Sequence, residues 1–186
     1  MTRRLLVTGA AGFIGANFCH YWHARHPGDR LVAYDALTYA GNRANLRALD
    51  GADTFRFVHA DIADTAGVAG LLREEAIDTI VHFAAESHVD RSIHGPAAFI
   101  ETNVVATFNL LDATRAWWTT LPAAEREAFR FLHVSTDEVY GSLGPTDPAF
   151  SETTAFAPNS PYSASKAASD HLVRAYHATY GLDTVL

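Results

Sequence analysis

The stretch from 131 to 166 holds five side chains that could together move a hydride and protons. FLHVSTDEVYG (131–141) is an apolar run, Phe131 to Val134, that stops on Ser135, Thr136, Asp137 and Glu138. SPYSASK (160–166) places Tyr162 and Lys166 four residues apart at the start of a helical pattern, so both side chains share one helix face. Folding would then bring together a hydroxyl, two carboxylates, a phenol and an ammonium. Taken alone, a Tyr–Lys pair at this spacing is ordinary surface chemistry, and Asp137-Glu138 is an ordinary solvated turn. Their joint placement, after an apolar strand run and at the head of the next helix, points to an active site.

The elements that must position these groups begin at the N-terminus. RLLVT (4–8) is an apolar run of strand length. GAAGFIG follows, with Gly9, Gly12 and Gly15, and then a helical pattern with Phe13, Ile14, Phe18, Tyr21 and Trp22 as its apolar face. Strand, glycine turn, helix is the context of a dinucleotide-binding fingerprint, here spaced G-x-x-G-x-x-G. Gly9 permits the tight turn, Gly12 lets backbone approach a pyrophosphate, and Gly15 allows the helix to pack closely on the strand. The helix N-terminus adds N–H donors and a partial positive charge for the anion. LVAYD (31–35) reads as a second strand ending in Asp35, twenty residues beyond Gly15. A carboxylate there can bind both hydroxyls of an adenosine ribose and repels a 2′-phosphate, which favours NAD over NADP. The alternative is a turn or capping aspartate.

The remaining chain alternates strands and helices. FRFVHA (55–60) alternates as a third strand and is followed by Asp61-Ile62, where Asp61 could accept from an adenine amino group. Asp64 suits the N-cap of a helix over 64–75. TIVHFAA (79–85) is nearly continuous apolar sequence, as a central parallel strand requires. A helix is expected over 97–118, a strand over 130–136, an ordered proline-rich loop over 141–161, a helix over 162–180 with Gly181 as its C-cap, and a sixth strand from 182. The result is an α/β protein, βαβαβαβαβαβ, with a doubly wound parallel sheet. Ligands of such sheets sit beyond the C-terminal strand ends. Gly9, Asp35, Asp61, Ala84 to Ser87 and Thr136 all follow such ends.

The chain has 186 residues, 48% hydrophobic, with a formal net charge of −7. That size and apolar content support one domain with a real core. The negative charge and the lack of a Lys/Arg block argue against a nucleic-acid partner. No apolar run approaches a membrane span, and Arg3-Arg4 precede only a short apolar run, so neither a membrane anchor nor a signal peptide is expected. The one cysteine, Cys19, excludes an internal disulfide and suits a reducing, cytoplasmic compartment, with the thiol buried and structural. His20, His23, His82 and His88 do not converge with a carboxylate at ligand spacing, so no metal is expected. His82 is expected in the core.

On these motifs the chain resembles the extended short-chain dehydrogenase/reductases: VTGAAGFIG, Asp35, Asp61-Ile62, FAAES, and Tyr162 with Lys166. Within that group it is similar to the dTDP-glucose 4,6-dehydratase family, through YDALTYAGN (34–42), FAAESHVDRSI (83–93), FIETNVVAT (99–107) and STDEVYG (135–141). The resemblance implies a Rossmann-like, NAD-binding domain over 1–186 that carries the catalytic residues. It also implies a C-terminal substrate domain that this chain does not include. It implies that NAD is held by Gly9, Gly12, Phe13, Ile14, Gly15, Asp35, Ala36, Leu37, Thr38, Gly41, Asp61, Ile62, Phe83, Ala84, Ala85, Ser87, Thr102, Tyr162 and Lys166. The nucleotide-sugar substrate would meet Ser87, His88, Thr136, Asp137, Glu138 and Tyr162.

The implied reaction is an internal redox cycle. Hydride leaves sugar C4 for NAD, water is lost across C5 and C6, and hydride returns to C6. Tyr162 as phenolate would take the C4 hydroxyl proton, with Lys166 and the nicotinamide charge lowering its pKa. Lys166 would also hold the nicotinamide ribose. Thr136 would hydrogen-bond the C4 oxygen, Glu138 would take the C5 proton, and Asp137 would protonate the departing C6 hydroxyl. Such opposite roles need environments that separate the two carboxyl pKa values. Competing readings are a sister epimerase or GDP-mannose-type dehydratase, against which the Asp137-Glu138 pair counts, and a non-catalytic NAD-binding fragment. The resemblance also implies a homodimer paired through the helices at 97–118 and 162–180. In the first of these, Phe99, Val104, Phe108 and Leu111 are expected to face the core, with Ala106 and Trp117 pointing elsewhere.

Overall fold

The computed structural model describes residues 2–186. Six parallel strands form one sheet in the order β3-β2-β1-β4-β5-β6, with the sequence running outward in both directions from β1. The strands are β1 (Arg4–Thr8), β2 (Arg30–Asp35), β3 (Phe55–His59), β4 (Thr79–His82), β5 (Arg130–His133) and β6 (Thr184–Val185). Alternate residues of each strand feed two separate cores, because successive side chains point to opposite faces. Leu6, Val32, Ile80 and Phe131 pack under α2 (Thr65–Glu74), α5 (Thr107–Trp118) and α7 (Pro161–Tyr180). Leu5, Val7, Leu31, Ala33 and Val81 pack under α1 (Phe13–Arg25) and the 3₁₀ turn Arg43–Leu49.

Local signals account for the helix ends. Asp64 caps α2 by accepting from Gly67 N. Ser160 and Ser163 form a reciprocal capping box at the head of α7, with Pro161 in its first turn. Gly181, at φ +75°, ends α7 in the left-handed conformation. Cys19 and His82 are buried as expected, and burial pushes the thiol up to about 12.

Several expectations need correction. The apolar face assigned to α1 is only partly what it buries: Phe18 and Trp22 pack against the core beside Gly15, Ala16 and Cys19, while Phe13 is 82% and Ile14 61% exposed beside the cavity, and Tyr21 is exposed too. β4 ends at His82 rather than at 85, and β5 at His133 rather than at 136. On the β1 side the ladder ends where Phe83 N donates to Thr8 O, because β1 turns away at Gly9; between β4 and β5 it ends where Val134 N donates to His82 O. The residues after each strand end therefore form loops.

The helix expected over 97–118 is three segments: α4 (Pro96–Phe99), a π-helical stretch (Ile100–Ala106) and α5. An i→i+5 turn takes in one more residue than an α turn, so the residues that follow slip out of the 3.6-residue phase. Phe99 and Leu111 stay buried, but Phe108 is exposed, and Val104 is only half-buried. Ala106 and Trp117 instead join the core, with Trp117 Nε1 donating to Ile77 O at 2.8 Å. Two short helices complete the set: α3 (Val89–His94), in the polar stretch after β4, and α6 (Ala123–Ala128). No helix among the described residues is long and apolar enough to cross a membrane.

Candidate active site

The C-terminal ends of β1 to β5 converge on a cavity of about 430 Å³. At its centre the β1 turn and the β4 loop are in backbone contact. Gly9 sits at φ +66°, and a Cβ there would lie 2.6 Å from Ala84 N. A Cβ on Gly15 would lie 2.2 Å from Gly9 O, so α1 begins hard against the turn. The first helical bond of α1 runs from Ala16 N to Gly12 O, leaving the first-turn N–H groups ahead of it available to an anion.

Asp35 is the most constrained carboxylate at this rim. It is 8% exposed; Oδ2 accepts from Ala11 N at 2.8 Å and Oδ1 from Leu37 N at 2.7 Å. A side chain on Gly41 would meet Oδ1 at 2.5 Å, so that glycine leaves the carboxylate uncovered. Ala36, Thr38 and Gly41 line the cavity, but Leu37 does not: its side chain packs on the core below α1, and only its backbone N–H serves Asp35. Asp61 and Ile62 line the same end, with Asp61 Oδ1 accepting from Ala63 N.

The middle of the cavity is formed by Phe83, Ala84, Ala85, Ser87 and His88 after β4, and by Thr102 of the π-helical stretch. Here the structure supplies a residue that sequence reasoning missed. Asn103, 1% exposed, accepts from Glu86 N at 2.8 Å and donates to Glu86 O at 2.9 Å and to Ser165 Oγ at 2.9 Å. It fastens the β4 loop to α7. Its sequence signal was only a polar residue within an apolar helical pattern. Across the opening, the His88 and Tyr39 rings lie 5.6 Å apart, and the Arg91 guanidinium stacks on Tyr39 at 3.7 Å.

The far end belongs to β5 and α7. Tyr162 and Lys166 line the cavity with Val134 and Ser135. Thr136 caps the 3₁₀ turn Asp137–Tyr140, accepting from Glu138 N at 3.4 Å. Thr136, Asp137 and Glu138 are not walls of the cavity; they stand just beyond it, close enough to Tyr162 to act on its phenol. Burial raises the Tyr162 pKa, a hydrogen bond with Thr136 opposes this, and the carboxylates of Glu138, Asp137 and Asp170 add to the rise. The expected lowering by Lys166 is thus not found in the protein alone. The Lys166 amine instead donates to Val134 O at 2.7 Å, and burial lowers its pKa to about 8, with Asp170 pulling the other way.

These features suit a dinucleotide. The glycine turn and bare helix start can take a diphosphate, Asp35 lines one end of the cavity with a carboxylate, and Lys166 is a buried cation at the other end. Among the described residues no three His, Cys, Asp or Glu side chains gather as metal ligands.

Comparison with known proteins agrees with this geometry. A dTDP-glucose 4,6-dehydratase of Xanthomonas campestris pv. campestris is 63% identical over 177 residues, 95% of this chain and 50% of that protein. dTDP-glucose 4,6-dehydratase 1 of Escherichia coli is 51% identical, covering 98% of this chain and 53% of that protein. The chain thus spans about half the length of the curated relatives it matches. Among solved structures, DesIV, a dTDP-glucose 4,6-dehydratase of Streptomyces venezuelae with NAD bound, superposes with a TM-score of 0.87 at 50% identity, over 97% of this chain and 53% of that one. A UDP-glucose 4-epimerase of Brucella ovis in complex with NAD gives 0.82 at 29% identity, over 98% of this chain and 50% of that one. The family model described as GDP-mannose 4,6 dehydratase matches residues 6–186, and the chain belongs to that family.

Proposed function

We propose that residues 1–186 form the NAD-binding, catalytic domain of a sugar-nucleotide 4,6-dehydratase that converts dTDP-glucose to its 4-keto-6-deoxy product. The observation that carries this reading is the meeting of Tyr162 and Lys166 with the Thr136–Glu138 turn at one end of a cavity whose other end is Asp35. Bound NAD would supply a hydride acceptor and donor, and a positive charge near Tyr162. The chain's own residues would do the rest. Gly9, Gly12 and the start of α1 would receive the diphosphate, and Asp35 the adenosine ribose. Tyr162, as phenolate, would take the proton of the C4 hydroxyl, with Thr136 holding the same oxygen. Glu138 would remove the C5 proton, acidified by the C4 ketone, and Asp137 would protonate the leaving C6 hydroxyl.

The adjacent carboxylates distinguish dehydration from epimerisation, since an epimerase needs neither a C5 base nor an acid at C6. The relatives at 63% and 51% identity bear dehydratase names, against 29% for the epimerase. A homodimer belongs to the same reading. Ile100, Val105, Phe108 and Tyr180 leave apolar surface outward on the helical stretches 96–118 and 161–180. The single buried cysteine fits a cytoplasmic protein.

The test is incubation with NAD and dTDP-glucose in deuterium oxide, in the full-length context of the enzyme. The expected product absorbs at alkaline pH as a 4-keto-6-deoxy sugar and carries deuterium at C5. Asp137→Asn and Glu138→Gln should block water loss but spare oxidation at C4, whereas Tyr162→Phe should block oxidation. A product inverted at C4, with no water lost, would establish the epimerase instead.

A further inference from the structure

Lys166 is the chain's one lysine, all its other basic side chains apart from histidines being arginines, and it is 4% exposed. One helical turn later on the same face of α7 stands Asp170, 3% exposed. A buried carboxylate is costly unless it is hydrogen-bonded and matched by a nearby positive charge. Asp170 Oδ2 accepts from Ser135 Oγ at 2.5 Å. Oδ1 has no hydrogen-bond partner and lies 3.3 Å from His133 Nε2. His133 is not the cation this carboxylate needs, because burial lowers its pKa and keeps the ring neutral near pH 7.

We propose that Asp170 is a positioning residue, the buried counter-charge that holds Lys166 as an ammonium and fixes the end of β5 against α7. Three consecutive residues are laced to the helix there. His133 Nε2 lies 3.3 Å from Ser169 Oγ, Val134 O accepts from Lys166 Nζ, and Ser135 Oγ donates to Asp170. The turn bearing Thr136, Asp137 and Glu138 starts at the next residue, so its direction depends on this lacing. The titratable groups facing this region are His82 from β4, His133 from β5, Asp137 and Glu138 from the following turn, and Tyr162 and Asp170 from α7. Of the carboxylates, Asp170 is the one that acts on Lys166, favouring the charged form against the desolvation of its site. A neutral Lys166 could neither steady a Tyr162 phenolate nor offer a charged donor to a ribose.

The inference rests on the cofactor-holding role proposed for Lys166, but its test uses no cofactor, so failure here is distinct from failure of NAD to bind. In the full-length protein labelled with ¹³Cε-lysine, the Lys166 resonance is the one absent from Lys166→Arg, and its pH titration reads Lys166 directly. In Asp170→Asn the midpoint should fall by about one pH unit or more, an increase of about tenfold in the ratio of neutral to charged amine at a given pH. A fall of less than about half a unit in a folded variant would overturn the proposal. Near-UV circular dichroism establishes whether the variant is folded. If it is not, the unmutated chain decides: the assigned Asp170 carboxyl carbon should show a step at the Lys166 midpoint, since coupling between two sites is reciprocal. No step there would overturn the proposal as well.

Discussion

Asn103 holds both backbone polar groups of Glu86, accepting from its N–H at 2.8 Å and donating to its carbonyl at 2.9 Å. The same amide reaches Ser165 on α7, so one side chain within the π-helical stretch sets the distance between the β4 loop and the helix that carries Tyr162 and Lys166. π-helical turns interrupt α-helices at a cost and concentrate at functional sites. Here the turn aims Asn103 at Glu86.

Asn103→Leu keeps the volume and removes the amide. It should destabilise the fold by about 1–3 kcal/mol, because the half-buried N–H and C=O of Glu86 lose their side-chain partner. Urea denaturation measures the loss, and a cost below about 1 kcal/mol would show that the clamp is dispensable.

Asp35 predicts the cofactor preference. Its carboxylate is nearly buried and held by two backbone donors, so it cannot swing away from a 2′-phosphate. NADP should bind at least about tenfold more weakly than NAD, the order of a 1.4 kcal/mol difference. Fluorescence titration of both cofactors is the measurement, and equal affinities would remove Asp35 from this role. Asp35→Asn is a poor substitute for that comparison, since its amide would point a donor at Ala11 N or Leu37 N.

Lys166 makes stability depend on pH in a stated direction. Its folded pKa is lowered to about 8, below the ordinary value of 10.5, so above pH 8 the unfolded chain holds a proton that the folded chain has released. Stability therefore rises with pH through this window. Between pH 7 and 9 the gain should be about 1 kcal/mol. Cys19 and Tyr34, both raised to about 12, oppose the trend, Cys19 from about pH 8 upward and Tyr34 higher still, because the unfolded chain loses those protons first. His82 and His133 are lowered by burial and contribute below about pH 6.5, outside the window. Urea denaturation at a series of pH values should show the rise in the native chain and its loss in Lys166→Met, where the effect of Cys19 and Tyr34 remains.

The exposed Ile100, Val105, Phe108 and Tyr180 predict self-association of the full-length protein through these helices. Sedimentation at micromolar concentration should give a dimer, and Phe108→Glu should shift it to monomer. A native monomer at that concentration would end the idea.

Sequence alone determined the doubly wound order of elements, because apolar runs of strand length alternate with helical patterns and the strand ends carry their own punctuation. Gly9, Asp35, Asp64 and Gly181 could be read in place, since each answers a local requirement: a left-handed turn, a strand end, an N-cap, a C-cap. Tyr162 and Lys166 were legible as a pair because four residues is one helical turn. Tertiary structure decided what depends on neighbours distant in the chain. β4 stops early because β1, its partner, turns away at Gly9, and β5 stops beside it; no residue within 79–85 or 130–136 records that turn. Phe108 and Ala106 exchanged places because a π turn, stabilised by contacts of Asn103 with Glu86 and Ser165, moved the register of everything after it. The Tyr162 pKa rises rather than falls because burial and the surrounding carboxylates outweigh the hydrogen bond from Thr136. The proposed effect of Asp170 on Lys166 has the same origin: two charges one turn apart are unremarkable on a solvated helix, and only burial under the end of β5 gives the carboxylate weight against the desolvation of the lysine.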